Sequence, residues 1–422
     1  MAQPGAAGRR PIRVLVVDDT VVVRRMVGQV LDGQPDIEVA ATAMNGRFAL
    51  QKLESTEVDV VVLDVEMPVM DGITTVKEIR RRWQKLPIIM FSTLTDAGAA
   101  VTLEALSLGA NDYLTKPSTL AGGNALEQTS LLLAETVRFW GRQYQDMQRP
   151  DTSMAGPPAP ASPAAHARPG ISRPPAHTNA SRTLSAGGRA APTGAQPAGV
   201  GAGPLASSNS SFTLATPRTG PIDVVVIGIS TGGPNALAEV LPKLPSNLAV
   251  PVIIVQHMPP VFTRLLAERL DARSPLTVVE SLDGQDVVAG TVYLAPGGRH
   301  LTVRRNGVRI LTSLNDGAPE NSCRPAVDVM FRGASSVWGA NVLAVVMTGM
   351  GQDGMKGSEV IRAAGGRVVV QDERSSVVWG MPGFVARAGS AEEVVPLQEI
   401  AEAILQRVNS GRRVPALAGG HR

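Results

Sequence analysis

Asp18 and Asp19 directly follow the apolar run IRVLVV at 12–17, and Asp64 closes a second run, DVVVL at 59–63. Ser92 and Thr93 follow a third, PIIMF at 87–91, and Lys116-Pro117 follow a fourth, NDYLT at 111–115. If these runs are strands of one doubly wound parallel sheet, their carboxyl ends share one edge and the groups converge there. Three carboxylates at one point repel and desolvate each other unless a cation joins them. Mg²⁺ suits the task, being hard, octahedral and content with a few carboxylates, waters and a phosphate. An aspartate so placed can attack a phosphoryl donor in line, while the metal and a lysine absorb charge on the equatorial oxygens. A single Asp could as well cap a helix or sit in a turn. It is the set at successive strand ends that points to phosphoryl transfer.

A second constellation begins at Gly228-Ile229-Ser230-Thr231-Gly232-Gly233, a G-x-S-x-G pattern between a strand-like run at 222–227 and a helical stretch. Small flanking residues let a strained turn present the Ser230 hydroxyl at a helix N-terminus, where the Thr231 amide can help hold an oxyanion. The same kind of turn also binds phosphate without covalent chemistry. A serine nucleophile needs a base. Of five histidines, His166 and His177 lie in a low-complexity stretch and His421 in the tail, which leaves His257 and His300. His257 directly follows the run PVIIVQ, on the same strand edge as Ser230, whereas His300 follows a Pro-Gly-Gly turn. Asp353, after the run LAVVM, completes a possible triad on that edge, with Asp316, Asp328 and Asp372 as competitors. Ser230 would attack a carbonyl, His257 would take and return the proton, and Asp353 would fix the imidazole tautomer.

What must position these groups is two folded units. The chain has 422 residues, long enough for two cores, and hydrophobic residues make up 44% but aromatics only 3%. The interiors are therefore aliphatic, as in parallel sheets buried on both faces. Residues 151–220 are dominated by Pro, Ala, Gly and Ser without hydrophobic periodicity, and are expected to be a disordered linker. Before it, five strand-like runs alternate with helical patterns; Val23, Met26, Val27, Val30 and Leu31 give the first helix its apolar face. After it the alternation returns with IDVVVIG, VPVIIVQ, TVYLA, NVLAVVM and RVVVQ, and a hairpin is expected around 301–311, turning at Asn306-Gly307. The expected fold class is α/β, with two doubly wound parallel-sheet domains, flavodoxin-like at 12–120 and Rossmann-like and three-layered at 221–410. Residues 1–11 are expected to be disordered, 121–150 to be a helical extension, and 411–422 to be a tail.

Net charge is +3, but residues 152–222 hold five arginines and no acidic residue, so the folded parts are slightly acidic. That disfavours nucleic acid as a partner. One cysteine, Cys323, excludes an internal disulfide framework, and no leader pattern opens the sequence, so a cytoplasmic location without membrane insertion is expected. Cys323 itself reads as a small buried or loop thiol, because no activating base is near it in sequence.

Residues 12–120 resemble the receiver domains of two-component response regulators. The resemblance implies that Asp64 is the phosphorylated residue, that Asp18, Asp19 and the carbonyl of Glu66 join it around Mg²⁺, and that Ser92, Tyr113 and Lys116 respond to the phosphoryl group. With GISTGGP, VQHMP, APGG-x-H at 295–300, RPAVD at 324–328, TGMGQDG and VVWGMP, the chain resembles the CheB family of chemotaxis methylesterases over nearly its full length. That resemblance implies hydrolysis of glutamyl methyl esters on the cytoplasmic domains of methylated chemoreceptors, and deamidation of receptor glutamines. It also implies a CheA-type histidine kinase as phosphodonor, no cofactor in the esterase domain, and a triad of Ser230, His257 and Asp353. The resemblance further implies that Met350 joins Thr231 as an oxyanion donor and that the unphosphorylated receiver covers the active site.

Gly349-Met350-Gly351-Gln352-Asp353-Gly354 also fits G-x-G-x-x-G after a strand, with Asp372 about 20 residues on, the dinucleotide fingerprint. A receiver-controlled oxidoreductase is therefore a rival. Against it, Asp353 would set a carboxylate where the pyrophosphate belongs, and the motif lies late in its domain. A receiver joined to a non-enzymatic interaction module is a third possibility.

Overall fold

The computed structural model of the protein describes residues 9–117, 123–149 and 212–410. The expected disorder at 1–11, the tail at 411–422 and most of the linker lie wholly or largely outside the described residues.

The N-terminal domain runs β1 (Ile12–Val17), α1 (Val21–Asp32), β2 (Ile37–Ala43), α2 (Gly46–Ser55), β3 (Val60–Asp64), α3 (Gly72–Arg82), β4 (Ile88–Ser92), α4 (Asp96–Ser107), β5 (Asp112–Thr115) and α5 (Gly123–Gln148). Its strands are parallel in the order β2-β1-β3-β4-β5, the flavodoxin-like order. β3 and β4 are buried at every position, as strands covered on both faces must be. The residues expected as a helical extension form an integral helix: Leu133, Ala134, Val137 and Trp140 of α5 pack with Ile12, Val14 and Val60 of the sheet.

The C-terminal domain runs β6 (Val224–Ile229), α6 (Gly233–Val240), β7 (Val252–Gln256), α7 (Phe262–Asp271), β8 (Thr277–Glu280), β9 (Thr291–Leu294), β10 (His300–Asn306), β11 (Arg309–Asn315), α8 (Val327–Trp338), β12 (Val342–Val346), α9 (Met355–Ala363), β13 (Arg367–Gln371), α10 (Met381–Arg387), β14 (Glu393–Val395) and α11 (Ile400–Ser410). Seven strands form one parallel sheet in the order β14-β13-β12-β6-β7-β9-β8, with β6 at its centre. β10 and β11 form the expected antiparallel hairpin, apart from the main sheet, closing with Asn306 opposite Arg309 and Gly307 at φ 60. The edge strands β8 and β14 had no counterpart among the strand-like runs.

The last residues of the expected linker are not free chain. Phe212 packs against Trp379 with ring centroids 5.9 Å apart, the Ala215 amide donates to the Ala391 carbonyl at 2.8 Å, and Arg362 donates to the Thr216 carbonyl at 2.7 Å. This strand of chain is ordered by the domain it leads into, which local composition cannot reveal.

The two domains are in contact. One apolar cluster runs from Leu103 and Leu106 of α4 into Phe262, Leu266 and Leu270 of α7. Asn235 of α6 donates to the Leu106 carbonyl at 2.9 Å, and Arg264 of α7 pairs with Asp96 at 2.8 Å. Among the described residues no helix is long and apolar enough to cross a membrane.

Candidate active site and phospho-acceptor cluster

Strand pairing brings the second constellation together. Ile229 is in register with Gln256, and Gly228 with Val346, so the residues just past these positions stand side by side at the carboxyl edge. Ser230 is locked into its turn by its own amide, which donates to the Thr348 carbonyl at 3.0 Å. Its carbonyl accepts from the Gly233 amide at 2.8 Å and from Gln256 Nε2 at 2.9 Å. The turn into α6 passes through Gly232 at φ 80, a left-handed conformation that glycine adopts without steric cost. On the other side Gly349 lets two chains close: a Cβ there would lie 2.4 Å from Met381 Sδ and 2.7 Å from Ser230 Cβ. The amides of Thr231 and Met350 donate no hydrogen bond within the described residues, whereas the neighbouring Gly349 amide is spent on Val378.

His257 follows β7, its amide bound to the Ile229 carbonyl at 3.1 Å, and its Nε2 meets Asp353 Oδ2 at 2.8 Å. Asp353 is among the most heavily bonded side chains in the molecule. Its oxygens also accept from the amides of Val327 (2.7 Å), Asp328 (3.0 Å) and Gly354 (3.0 Å) and from Asn321 Nδ2 (2.9 Å). Burial alone would raise its pKa, but the bond to His257 and these donors hold it below the usual carboxylate range. The same pairing acts on His257: burial opposes the imidazolium, yet Asp353 and Cys323 outweigh it and raise the pKa. In the neutral imidazole, an ionised Asp353 on Nε2 keeps the proton there and leaves the lone pair on Nδ1.

That lone pair faces Cys323, whose Sγ lies 3.5 Å from Nδ1. Cys323 is the half-buried loop thiol expected, but a base does face it: His257 reaches it from the end of β7, 66 residues away in sequence. Sequence reasoning also missed Asn321 and underrated Asp328. Asp328 lies beside Asp353, accepting from the amides of Gly354 (3.0 Å) and Gly357 (2.7 Å), while Asn321 Nδ2 bridges the two carboxylates. The other competitors are occupied elsewhere, Asp316 with exposed Arg299 and Asp372 with the Ser375 turn. His300 is buried with one nitrogen on the Ala318 carbonyl and the other on the Ala326 amide.

In the N-terminal domain, Asp18, Asp19 and Asp64 bring carboxylate oxygens within 4.8 Å of one another. Lys116 Nζ reaches Asp18 and Asp64 at 2.7 Å each. Burial, more than Lys116 can offset, raises the pKa of Asp64 to about 6. Asp19 and Glu66 line a cleft of ≈ 460 Å³ beside it with Met67 and Asp71. Ser92 is buried at the end of β4, its hydroxyl on the Thr93 carbonyl.

Tyr113 points away from this cluster and stacks on Phe262 of α7, centroids 4.9 Å apart and planes at 15°. Its neighbour Asp112 accepts from Trp140 Nε1 at 3.2 Å and lies against the Thr231 side chain, so the N-terminal domain touches the residue next to Ser230. The dinucleotide reading of 349–354 fails on its own residues, because Asp353 fills the turn with a carboxylate bonded to His257.

Comparison with known proteins gives two family models. The CheB methylesterase model matches residues 225–404, and the response regulator receiver domain model matches 14–123. A protein-glutamate methylesterase/protein-glutamine glutaminase of Nocardioides sp. is 45% identical over 96% of this chain and 97% of its own length. One of Trichodesmium erythraeum is 40% identical over 94% and 99%. The solved Thermotoga maritima CheB methylesterase catalytic domain is similar over 44% of this chain and 98% of its own, at 42% identity and a TM-score of 0.43.

Proposed function

Because the chain belongs to the protein-glutamate methylesterase/protein-glutamine glutaminase family, with a receiver domain ahead of a CheB methylesterase domain, we propose that it demethylates chemoreceptors under control of phosphorylation at Asp64. The substrates are glutamyl methyl esters on receptor cytoplasmic domains, released as glutamate and methanol, and receptor glutamines are deamidated at the same site.

The observation that carries this reading is the His257–Asp353 hydrogen bond at the strand edge shared with Ser230. Ser230 Oγ attacks the ester carbonyl while His257 Nδ1 takes its proton, and Asp353 stabilises the imidazolium. The tetrahedral oxyanion rests on the amides of Thr231 and Met350. Methanol leaves with the proton from His257; a water, activated by the same nitrogen, then cleaves the acyl-serine to glutamate. A glutamine substrate follows the same course with ammonia as leaving group.

The donor set of the receiver domain fits a hard divalent cation, three carboxylates within reach of one point beside a lysine. Mg²⁺ would be held by Asp18, Asp19, Asp64 and the Glu66 carbonyl, and when bound it would offset phosphate charge during transfer from a CheA-type histidine kinase. Lys116 orients Asp64, and Ser92, at the end of the neighbouring strand β4, would meet the phosphoryl group. The docked receiver restricts access beside Ser230 through Asp112 and Tyr113. Phosphorylation adds negative charge at Asp64, pulls Lys116 and Ser92 toward it, and biases β5 away from that contact.

Methanol release from methylated receptor fragments tests the whole reading. Wild type should respond to a phosphodonor, Asp64→Asn should keep its basal rate without responding, and Ser230→Ala should be inactive. Full activity in Ser230→Ala would remove the triad.

A further inference from the structure

Cys323, the single cysteine of the chain, is half-buried and held by a tight turn in which its backbone exchanges two hydrogen bonds with Glu320 while Asn321 and Ser322 adopt positive φ. Its sulfur is 3.5 Å from His257 Nδ1. The other ring nitrogen is taken by Asp353, itself fixed by four further donors, so in the neutral ring the Nδ1 lone pair is aimed at the thiol. Donor atoms of His257, Cys323 and Asp353 lie within 4.8 Å of one another. A tetrahedral metal carrying a thiolate at ~2.3 Å and an imidazole nitrogen at ~2.0–2.1 Å sets those two atoms about 3.6 Å apart. The pair already stands at that bite. A carboxylate on the far nitrogen is also the arrangement that orients metal-binding histidines and raises their basicity.

We propose that Cys323 and His257, oriented by Asp353, form a reversible inhibitory site for a thiophilic divalent cation, with Zn²⁺ the best match. Binding replaces the thiol proton with the metal, releases H⁺ to solvent, and leaves two coordination positions to water. The metal then occupies the lone pair that Ser230 needs. The donor chemistry separates this site from the receiver's: thiolate with imidazole selects Zn²⁺, whereas the oxygen cluster at Asp18, Asp19 and Asp64 suits Mg²⁺. Only the effect on activity rests on His257 being the base; binding does not.

The test uses the full chain with Mg²⁺ saturating. Co²⁺ serves as a spectroscopic probe, because thiolate ligation gives a near-ultraviolet charge-transfer band that oxygen ligands cannot. The band should appear in wild type and in Ser230→Ala and vanish in Cys323→Ser. In parallel, buffered Zn²⁺ should inhibit wild-type ester hydrolysis reversibly by chelator. Cys323→Ser, normalised to its own metal-free rate, should need at least the roughly 10-fold more Zn²⁺ that loss of even an outer partner costs a metal site. A band that survives Cys323→Ser, or equal Zn²⁺ sensitivity in the two proteins, overturns the proposal. Ester hydrolysis persisting in Ser230→Ala would instead overturn the triad, and the cobalt band would still decide the metal site.

Discussion

Tyr113 of the receiver and Phe262 of the esterase domain are stacked nearly parallel, 4.9 Å between centroids, so an aromatic residue of β5 is itself part of the domain contact. A stacked pair contributes about 0.5–1.5 kcal/mol beyond area burial. Tyr113→Ala should therefore raise the basal esterase rate of the unphosphorylated protein by roughly 2- to 10-fold. The rate with phosphodonor should change little, which comparison of methanol release in the two states would reveal.

Asn321 donates to two neighbouring carboxylates, Asp328 and Asp353, with a single amide nitrogen. Asn321→Ala leaves those carboxylates facing each other with one fewer donor. The expected result is a kcat about 10-fold lower with little change in KM, since orientation of the triad and not substrate binding is affected. Asp353→Asn, which reverses the imidazole tautomer, should cost on the order of 10⁴ in kcat. Steady-state kinetics on both variants gives the comparison.

Burial at the domain contact pushes the Asp112 carboxyl up to about 6, against the hydrogen bonds from Trp140, the Tyr113 amide and Thr231. The folded protein thus holds this proton more tightly than the unfolded chain, and stability falls as pH rises across about 4 to 6. Asp112→Asn keeps the shape without the charge. Denaturant unfolding at several pH values should show a shallower decline for the variant over that window, and a variant at least as stable as wild type at neutral pH.

A methyl group at position 349 would meet Met381 Sδ and Ser230 Cβ well inside van der Waals contact. Gly349→Ala should displace the Ser230 turn, and a shift of about 1 Å is enough to lower the rate roughly 100-fold. Phosphorylation of Asp64 in the same protein, followed by trapping with radiolabelled donor, should be unchanged.

Much of this site could be read from the chain because it is written on strand ends. Asp18, Asp64, Ser92, Ser230 and His257 each terminate or follow an apolar run, and parallel sheets bring such positions to one edge whatever the intervening sequence. Cys323 and Asn321 were not readable in that way. They sit in a loop whose place is set by a three-dimensional approach to β7 and α8, and no periodicity reports it. Phe212 and the residues after it illustrate the same limit, since a Pro- and Ser-rich neighbourhood conceals a segment that the C-terminal domain orders by hydrogen bonds.

The contact of Asp112 with the Thr231 side chain carries a thermodynamic obligation. If docking of the receiver disfavours occupancy of the esterase cleft, occupancy of the cleft must disfavour docking by the same coupling free energy. A receptor segment seated over Ser230 would then loosen the receiver and make Asp64 easier to phosphorylate at equilibrium. Receptors rich in methyl esters would recruit phosphate to the very molecules already engaged with them, so the substrate acts on its enzyme as a positive effector.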